Sequence, residues 1–196
     1  MLTENRTMAT DGELVLQCQQ GNSASFRELY HRYEQRVRST LYQLCGSEGL
    51  DDLVQEVFLR VWKGLPKLRQ ASYFGTWLYR ICWNVATDRR RQAAKYQPSL
   101  PEELAFDSAF SRPQDTPDLM QLHYQDLVGR GLQSLSLDHR IVLVLHDLED
   151  IPQKEIAEIL KLPLGTVKSR LFYARSQLRK FFQAQEEVYD DAISPR

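Results

Sequence analysis

The chain has few of the residues that interrupt regular structure. Among 196 residues there are 9 glycines and 8 prolines. No stretch shows convincing strand-like alternation, and long segments repeat apolar residues every three or four positions, so a mostly helical chain is expected. Cysteine is scarce. Cys18, Cys45 and Cys82 are odd in number and far apart, which argues against a disulfide framework or a paired-cysteine metal site and favours three small core residues. The four histidines, His31, His123, His139 and His146, have no metal-ligand spacing. There is also no glycine-rich phosphate loop and no nucleophile motif. No catalytic residue, metal or cofactor is therefore expected, and the chain does not read as an enzyme. No apolar run reaches the roughly 18 residues of a membrane span. The first residues, "MLTENRTMAT", lack the charged start and apolar run of a secretory signal, so a cytoplasmic protein is expected.

Net charge is also small, at −1, but it is unevenly spread. Residues 10–95 carry +4, residues 96–119 carry −4, and residues 120–196 carry −1. Within the last segment, residues 151–182 carry +5 and the tail after them −3. Local basic patches in a neutral chain are the footprint expected of a protein that binds a polyanion.

Two helical blocks flank a linker. The linker, "YQPSLPEELAFDSAFSRPQDTP", holds four prolines, serines and acids, a composition unsuited to a long helix. In the first block, "DGELVLQCQQGN" reads as a short helix stopped by Gly21. Phe26, Leu29, Tyr30, Tyr33, Val37, Leu41 and Leu44 step as an amphipathic helix that Gly46 and Gly49 end. "DDLVQEVFLRVWKGL" places Leu53, Val54, Val57, Phe58, Val61 and Trp62 on one face, with Asp51, Asp52, Gln55, Glu56, Arg60 and Lys63 on the other. "GTWLYRICWNVATDRRRQ" completes the block as a helix.

The second block opens with "DLMQLHYQDLVGRGLQSL", followed by "SLDHRIVLVLHDLED" with Ser136 as a candidate N-cap. Next come two helices around a tight turn. Ile156, Leu160, Leu162 and Val167 are apolar, Ala157 is small, Pro163 cannot continue the first helix, and Thr166 is a candidate cap for the second. This is a helix-turn-helix pattern. In its second helix Val167, Leu171, Ala174, Leu178 and Phe181 form the core stripe. That leaves Lys168, Ser169, Arg170, Phe172, Tyr173, Arg175 and Arg179 on the other sides. Donors near the start of such a helix can reach base edges in the major groove, and cations further along meet phosphates. Lys168 and Ser169 fit the first role, and Arg175 and Arg179 the second. A basic helix can also be an ordinary solvated face; the turn pattern in front of this one favours DNA.

Four motifs in order, "GNSASFRELYHRY", "DDLVQEVFLRVWKGL", "FGTWLYRICWNVATDRRR" and "EIAEILKLPLGTVKSRLFYARSQL", resemble the extracytoplasmic-function (ECF, group IV) sigma factors of the sigma-70 family. The likeness spans about residues 12–182. It implies an all-α protein of two helical domains joined by a flexible acidic linker, the second with a helix-turn-helix. Residues 1–95 would bind core polymerase and recognise and melt the −10 element, 96–118 would form the linker, 119–183 would read the −35 element, and 184–196 would be an acidic tail without predicted structure.

The resemblance also implies site residues. Asp52, Gln55 and Glu56 match positions that contact the clamp coiled coil of the polymerase largest subunit, with Arg60 and Lys63 continuing that face; the plain alternative is a solvated polar face. Tyr73, Phe74, Trp77 and Trp83 are candidates to stack on melted bases, and Arg80, Arg89, Arg90 and Arg91 to meet the backbone. At least one of Trp77 and Trp83 is equally a core residue. Asn84 matches a position near a loop that captures a flipped-out −10 base, or it caps a helix. Glu102, Glu103 and Asp107 are candidates for a linker that follows the path of nascent RNA. Tyr173 stands where a basic residue is common in that family. Partners implied are core RNA polymerase, promoter DNA and, as in many members, an anti-sigma factor. The competing reading is an autonomous helix-turn-helix regulator, but the first block lacks receiver-type strands or a ligand pocket to act as a sensor.

Overall fold

The computed structural model describes residues 9–96 and 119–193, with side chains over 9–93 and 126–185. The linker candidates Glu102, Glu103 and Asp107, and the tail residues beyond 193, lie outside the described residues. Among the described residues the chain is helical, without strands.

Thr10 starts the first helix, α1 (Asp11–Gln19), through a reciprocal capping box with Glu13. The Thr10 backbone N–H donates to Glu13 Oε2 at 2.7 Å, and the Glu13 N–H donates to Thr10 Oγ1 at 3.3 Å. Asn22 caps α2 (Ser23–Cys45), accepting from the Ala24 N–H at 3.0 Å. The turn into α3 (Leu50–Gly64) needs left-handed backbone at Gly46 (φ 82°) and Gly49 (φ 65°), which glycine adopts without a Cβ clash. Two short 3₁₀ turns, Leu65–Lys67 and Ala71–Tyr73, lead to α4 (Phe74–Tyr96). Leu29, Val37, Leu41, Val57, Val61, Phe74 and Leu78 are almost wholly buried and form the first core. Its surface is tied by Arg32 to Asp11 at 2.5 Å, and Tyr33 also donates to Asp11.

The second block comprises α5 (Leu119–Gln133), α6 (Leu137–Leu143), one π turn (Val144–Leu148), α7 (Gln153–Leu160) and α8 (Leu164–Ile193). Ser136 occupies the N-cap position of α6, but its side chain makes no capping bond. The α7–α8 turn rests on Lys161 in left-handed backbone (φ 55°), with the Leu162 N–H donating to the Ala157 carbonyl at 3.0 Å. Such a 6→1 bond closes a helix C-terminus. The sequence suggested Thr166 as the cap of the second helix. Instead α8 begins at Leu164, and the Thr166 N–H donates to the Pro163 carbonyl at 2.9 Å. Proline fixes φ for helix entry, so the helix starts three residues earlier than a Thr166 cap requires. α8 also runs on to Ile193, through most of the acidic tail.

The two blocks pack on each other. Leu44, Tyr79 and Ala86 of the first block are buried in one continuous core with Leu132, Ile141, Leu145, Ile156, Val167, Leu171 and Ala174 of the second. Polar bonds cross the same seam. Glu149, with a side chain only 8% exposed, accepts from Thr40 at 3.0 Å and from the Tyr79 hydroxyl at 2.8 Å, with Arg36 Nε at 3.9 Å. Thr76 donates to Glu155. Arg140 is 5% exposed and donates to the Leu44 carbonyl at 2.7 Å, and within its own block to the carbonyls of Gln133 and Leu135, both at 2.9 Å.

The three cysteines are free, as their spacing suggests. Cys82 is fully buried, and Cys18 and Cys45 pack against the core. Burial pushes the Cys45 thiol up to about 11 and the Cys82 thiol upward as well, which keeps both protonated and unreactive at neutral pH.

One close approach is testable. A Cβ placed on Gly64 would meet Trp77 Cζ2 at 2.7 Å, and the rigid indole is packed against the first core. Gly64→Val is expected to cost about 1–3 kcal/mol by overpacking. A lowered thermal midpoint together with altered tryptophan emission would show it; an unchanged midpoint would mean that Trp77 yields freely.

Candidate nucleic-acid and polymerase interfaces

The outer face of α8 is built as the spacing predicts. Val167, Leu171 and Ala174 are buried, and Leu178 packs at the edge of the same core. Opposite them, Lys168 and Ser169 are exposed, Phe172 is 70% exposed and Tyr173 57%, and Arg179 faces solvent. An exposed aromatic pair beside cations has both apolar surface for bases and charge for phosphates. Arg170 and Arg175 are placed differently from the rest. Each is held by an aspartate: Arg170 by Asp138 at 3.4 Å, and Arg175 by Asp147 at 2.5 and 3.1 Å. Neither acid was legible in the sequence: Asp138 lies on α6, 32 positions before Arg170, and the π turn that carries Asp147 to α8 has no sequence signature. The Ser169 hydroxyl donates back to the Thr166 carbonyl at 3.0 Å and leaves its oxygen outward as an acceptor.

On α3, Asp52 and Gln55 are exposed, Glu56 is half-buried and Lys63 is exposed. Arg60 does not simply continue that face. Its guanidinium bridges Glu56 at 2.7 Å and Asp88 of α4 at 2.8 Å. Beside the acids lies an apolar groove of 470 Å³ lined by Phe26, Tyr30, Phe58, Leu59 and Trp62. Trp62 was expected on the core side of α3. It is 47% exposed and meets Phe26 edge-on at 4.8 Å, while Leu59 is 46% exposed. The burial of Val57, Phe58 and Val61 already fills that side, so the indole is left at the rim. A sequence signal for this groove existed: Leu59 follows Gln55 by four residues and Glu56 by three, so an apolar side chain sits amid the polar face.

Along α4 the expected −10 residues separate. Tyr73 is 49% exposed and Asn84, Arg90 and Arg91 are exposed. Phe74 is wholly buried against Tyr33, with ring centroids 5.3 Å apart, so it is a core residue and has no free face for a base. The first residue of a helix beneath two 3₁₀ turns points inward, which spacing alone does not reveal. Trp77 and Trp83 are both half-buried, Trp77 against the first core and Trp83 against the second. Asn84 lies in mid-helix, so the helix-cap reading of it falls. Arg89 reaches Glu48 at 3.4 Å. Arg80 is occupied: its Nε donates to the Ile159 carbonyl at 3.1 Å and its Nη2 to the Glu158 carbonyl, at the C-terminal end of α7 where helix carbonyls lack i+4 partners.

Comparison with known proteins decides the family. Residues 29–96 match Sigma-70 region 2, and residues 131–180 match Sigma-70, region 4. The chain is 31% identical over 183 residues to an ECF RNA polymerase sigma-E factor of Haemophilus influenzae, covering 89% of this chain and 96% of that protein. It is 33% identical over 176 residues to the ECF RNA polymerase sigma-E factor of Escherichia coli K12, covering 86% and 92%. The chain belongs to the ECF RNA polymerase sigma factors. In solved structures, this sigma factor is similar to CnrH in complex with the cytosolic domain of CnrY, with a TM-score of 0.66 and 26% identity over 89% of this chain and 97% of that one. The fold also matches the sigma factor RpoE of Bartonella quintana in complex with the anti-sigma factor NepR, with a TM-score of 0.66 and 22% identity over 81% and 96%. Sigma factors give RNA polymerase its choice of promoter, and nothing in the comparisons favours an autonomous regulator. Among the described residues no helix is long and apolar enough to cross a membrane.

Proposed function

We propose that this sigma factor is a group IV member that acts in the cytoplasm, makes and breaks no covalent bond itself, and works through three separate faces. The outer face of α8 reads the −35 element, with Lys168 and Ser169 toward base edges and Phe172, Tyr173 and Arg179 along the groove. The exposed part of α4, with Tyr73, Asn84, Arg89 and Arg90, holds the melted −10 strand. The acidic rim of α3 (Asp52, Gln55 and Glu56) and the groove beside it take a basic helical segment of core polymerase, with Leu59 and Trp62 as apolar anchors. In this reading residues 1–95 are the −10 and core-binding domain, 96–118 the linker and 119–183 the −35 domain.

The observation that carries the reading is this division of labour on one chain: two faces rich in cations and aromatics, and one acidic, apolar face. The arrangement in which α4 and α7 touch is then a resting form. Promoter −35 and −10 elements lie roughly 25 base pairs apart, or roughly 85 Å at about 3.4 Å per pair. Arg80 bonded to α7 cannot serve one element while α8 serves the other. An anti-sigma partner fits such a resting form; the structurally similar sigma factor RpoE of Bartonella quintana is solved in complex with the anti-sigma factor NepR.

The test is transcription of sheared genomic DNA by core polymerase with and without the protein, followed by sequencing of RNA 5′ ends. The expected result is a discrete set of new starts with shared upstream elements, lost when Glu56→Lys reverses charge on the docking face. New starts that survive Glu56→Lys would remove the α3 assignment. Absence of any new starts would remove the whole reading.

A further inference from the structure

At about 100° per residue, Arg170 and Arg175 flank the buried stripe of Val167, Leu171 and Ala174, one on each side, and Lys168, Arg179 and Phe172 follow Arg175 round toward solvent. Only the flanking pair is bound. Arg175 grips Asp147 with two bonds, Nε to Oδ2 at 3.1 Å and Nη2 to Oδ1 at 2.5 Å. Arg170 Nη1 reaches Asp138 Oδ1 at 3.4 Å. His146 Nδ1 lies 2.7 Å from Asp147 Oδ1 and 3.3 Å from Arg175 Nη2. Hydrogen bonding from Arg175 holds the Asp147 carboxyl below its usual range, so it is charged at neutral pH. Among the described residues, Lys168, Arg179 and Lys180 make no ion pair.

We infer that Asp138 and Asp147 are specificity-determining residues: they cancel the two flanking arginines and so suppress sequence-independent phosphate binding, leaving recognition to the outward face of α8. The inference rests on the reading of α8 as the −35 helix. Non-specific affinity for DNA is set by the number of phosphates neutralised and is reported by the slope of affinity against salt. An aspartate within 3.4 Å of a guanidinium removes about one positive charge from that count. Exposed ion pairs add little to fold stability, so stability alone does not account for one acid on each flank. The benefit lies in partner choice. A free sigma factor held by bulk DNA is withdrawn from core polymerase, and the two acids keep it available.

The experiment uses the full chain and a random-sequence duplex, with affinity measured between about 50 and 200 mM salt. Asp138→Asn with Asp147→Asn removes the charges and keeps the side-chain shape. The slope is expected to steepen by about 0.9 per aspartate, so that the fall in affinity across this range grows by about tenfold for the pair. Adding Arg170→Ala and Arg175→Ala should return the slope to that of the wild-type chain. A slope that does not change, or a steepening that survives removal of the arginines, overturns the inference. Thermal unfolding of each variant supplies the control, because a merely structural role lowers the midpoint without steepening the slope. A separate variant, Lys168→Ala with Arg179→Ala, tests the underlying reading. If it leaves promoter-directed starts unchanged, the assignment of α8 fails. If it abolishes them while the aspartate variants leave the slope alone, only this inference fails.

Discussion

Tying Thr76 to Glu155 should silence the protein. The two side chains are hydrogen-bonded across the seam between α4 and α7. Cysteines at both positions, in a chain whose Cys18, Cys45 and Cys82 are replaced, would form a reversible clasp on the closed form. If the closed arrangement is the resting one, oxidised protein cannot present α4 and α8 to elements roughly 85 Å apart. Its competent fraction, and with it promoter-dependent initiation, should fall by roughly tenfold or more. Reduction should restore initiation. The measurement is run-off transcription from one promoter before and after a reductant, with the extent of cross-linking read on the same samples. Full activity from the oxidised protein would mean that the two blocks can stay packed while promoter DNA is bound, and the resting-form proposal would be wrong.

The second large effect is expected at Arg140. Its guanidinium is 5% exposed and satisfies the carbonyls of Leu44, Gln133 and Leu135 together with Gln133 Oε1. A buried carbonyl left without a donor costs about 1–3 kcal/mol. Arg140→Ala strips several at once and should destabilise the chain by about 3 kcal/mol or more. Arg140→Lys keeps the charge, but a single ammonium cannot reach acceptors on several sides as a planar guanidinium does, so it should recover only part of the loss. Urea unfolding of the full chain measures both. A change below about 1 kcal/mol for Arg140→Ala would show that water replaces the guanidinium easily and that the junction is looser than its burial implies. Of these bonds, only that to Leu44 spans the two blocks, so opening would sacrifice one and keep the rest.

If the two blocks act as separate reading heads, these two positions account for a seam that is well packed and yet could part on binding a partner. The apolar portion, with Leu44, Tyr79 and Ala86 against Leu132 and Ile156, favours closure. The polar portion, centred on Glu149, is made of groups that water can also satisfy once exposed. Each bond exchanged for water changes the balance by only about 0.5–1.5 kcal/mol, so the equilibrium is within reach of a binding partner's differential affinity.

The burial pattern of the candidate α8 face was legible in the residues alone. The steps between Val167, Leu171, Ala174 and Leu178 place the buried stripe of α8, and the exposed side follows by subtraction. Pro163 marks the turn before it, and the order of four motifs marks the family. Other features were not legible, for reasons that differ. Phe74 reads as an exposed aromatic in an arginine-rich helix, but the 3₁₀ turn before it directs the ring against Tyr33. Trp62 reads as a core residue, but the core is full before the indole arrives. Arg175 reads as a free cation, but the π turn brings Asp147 beneath it.

The sequence by itself therefore determined the helices, the helix-turn-helix, the division into two blocks and the family. Those depend on periodicity, on glycine and proline conformation and on motif order, all of which act over a few residues. Only the tertiary structure decided which cations remain unpaired, which aromatics face solvent and how the blocks meet. Thr40 and Glu149 are separated by 109 positions along the chain, and no local pattern encodes that pairing. A helical stripe states that one face must be covered; its partner is chosen by the packing of the whole chain.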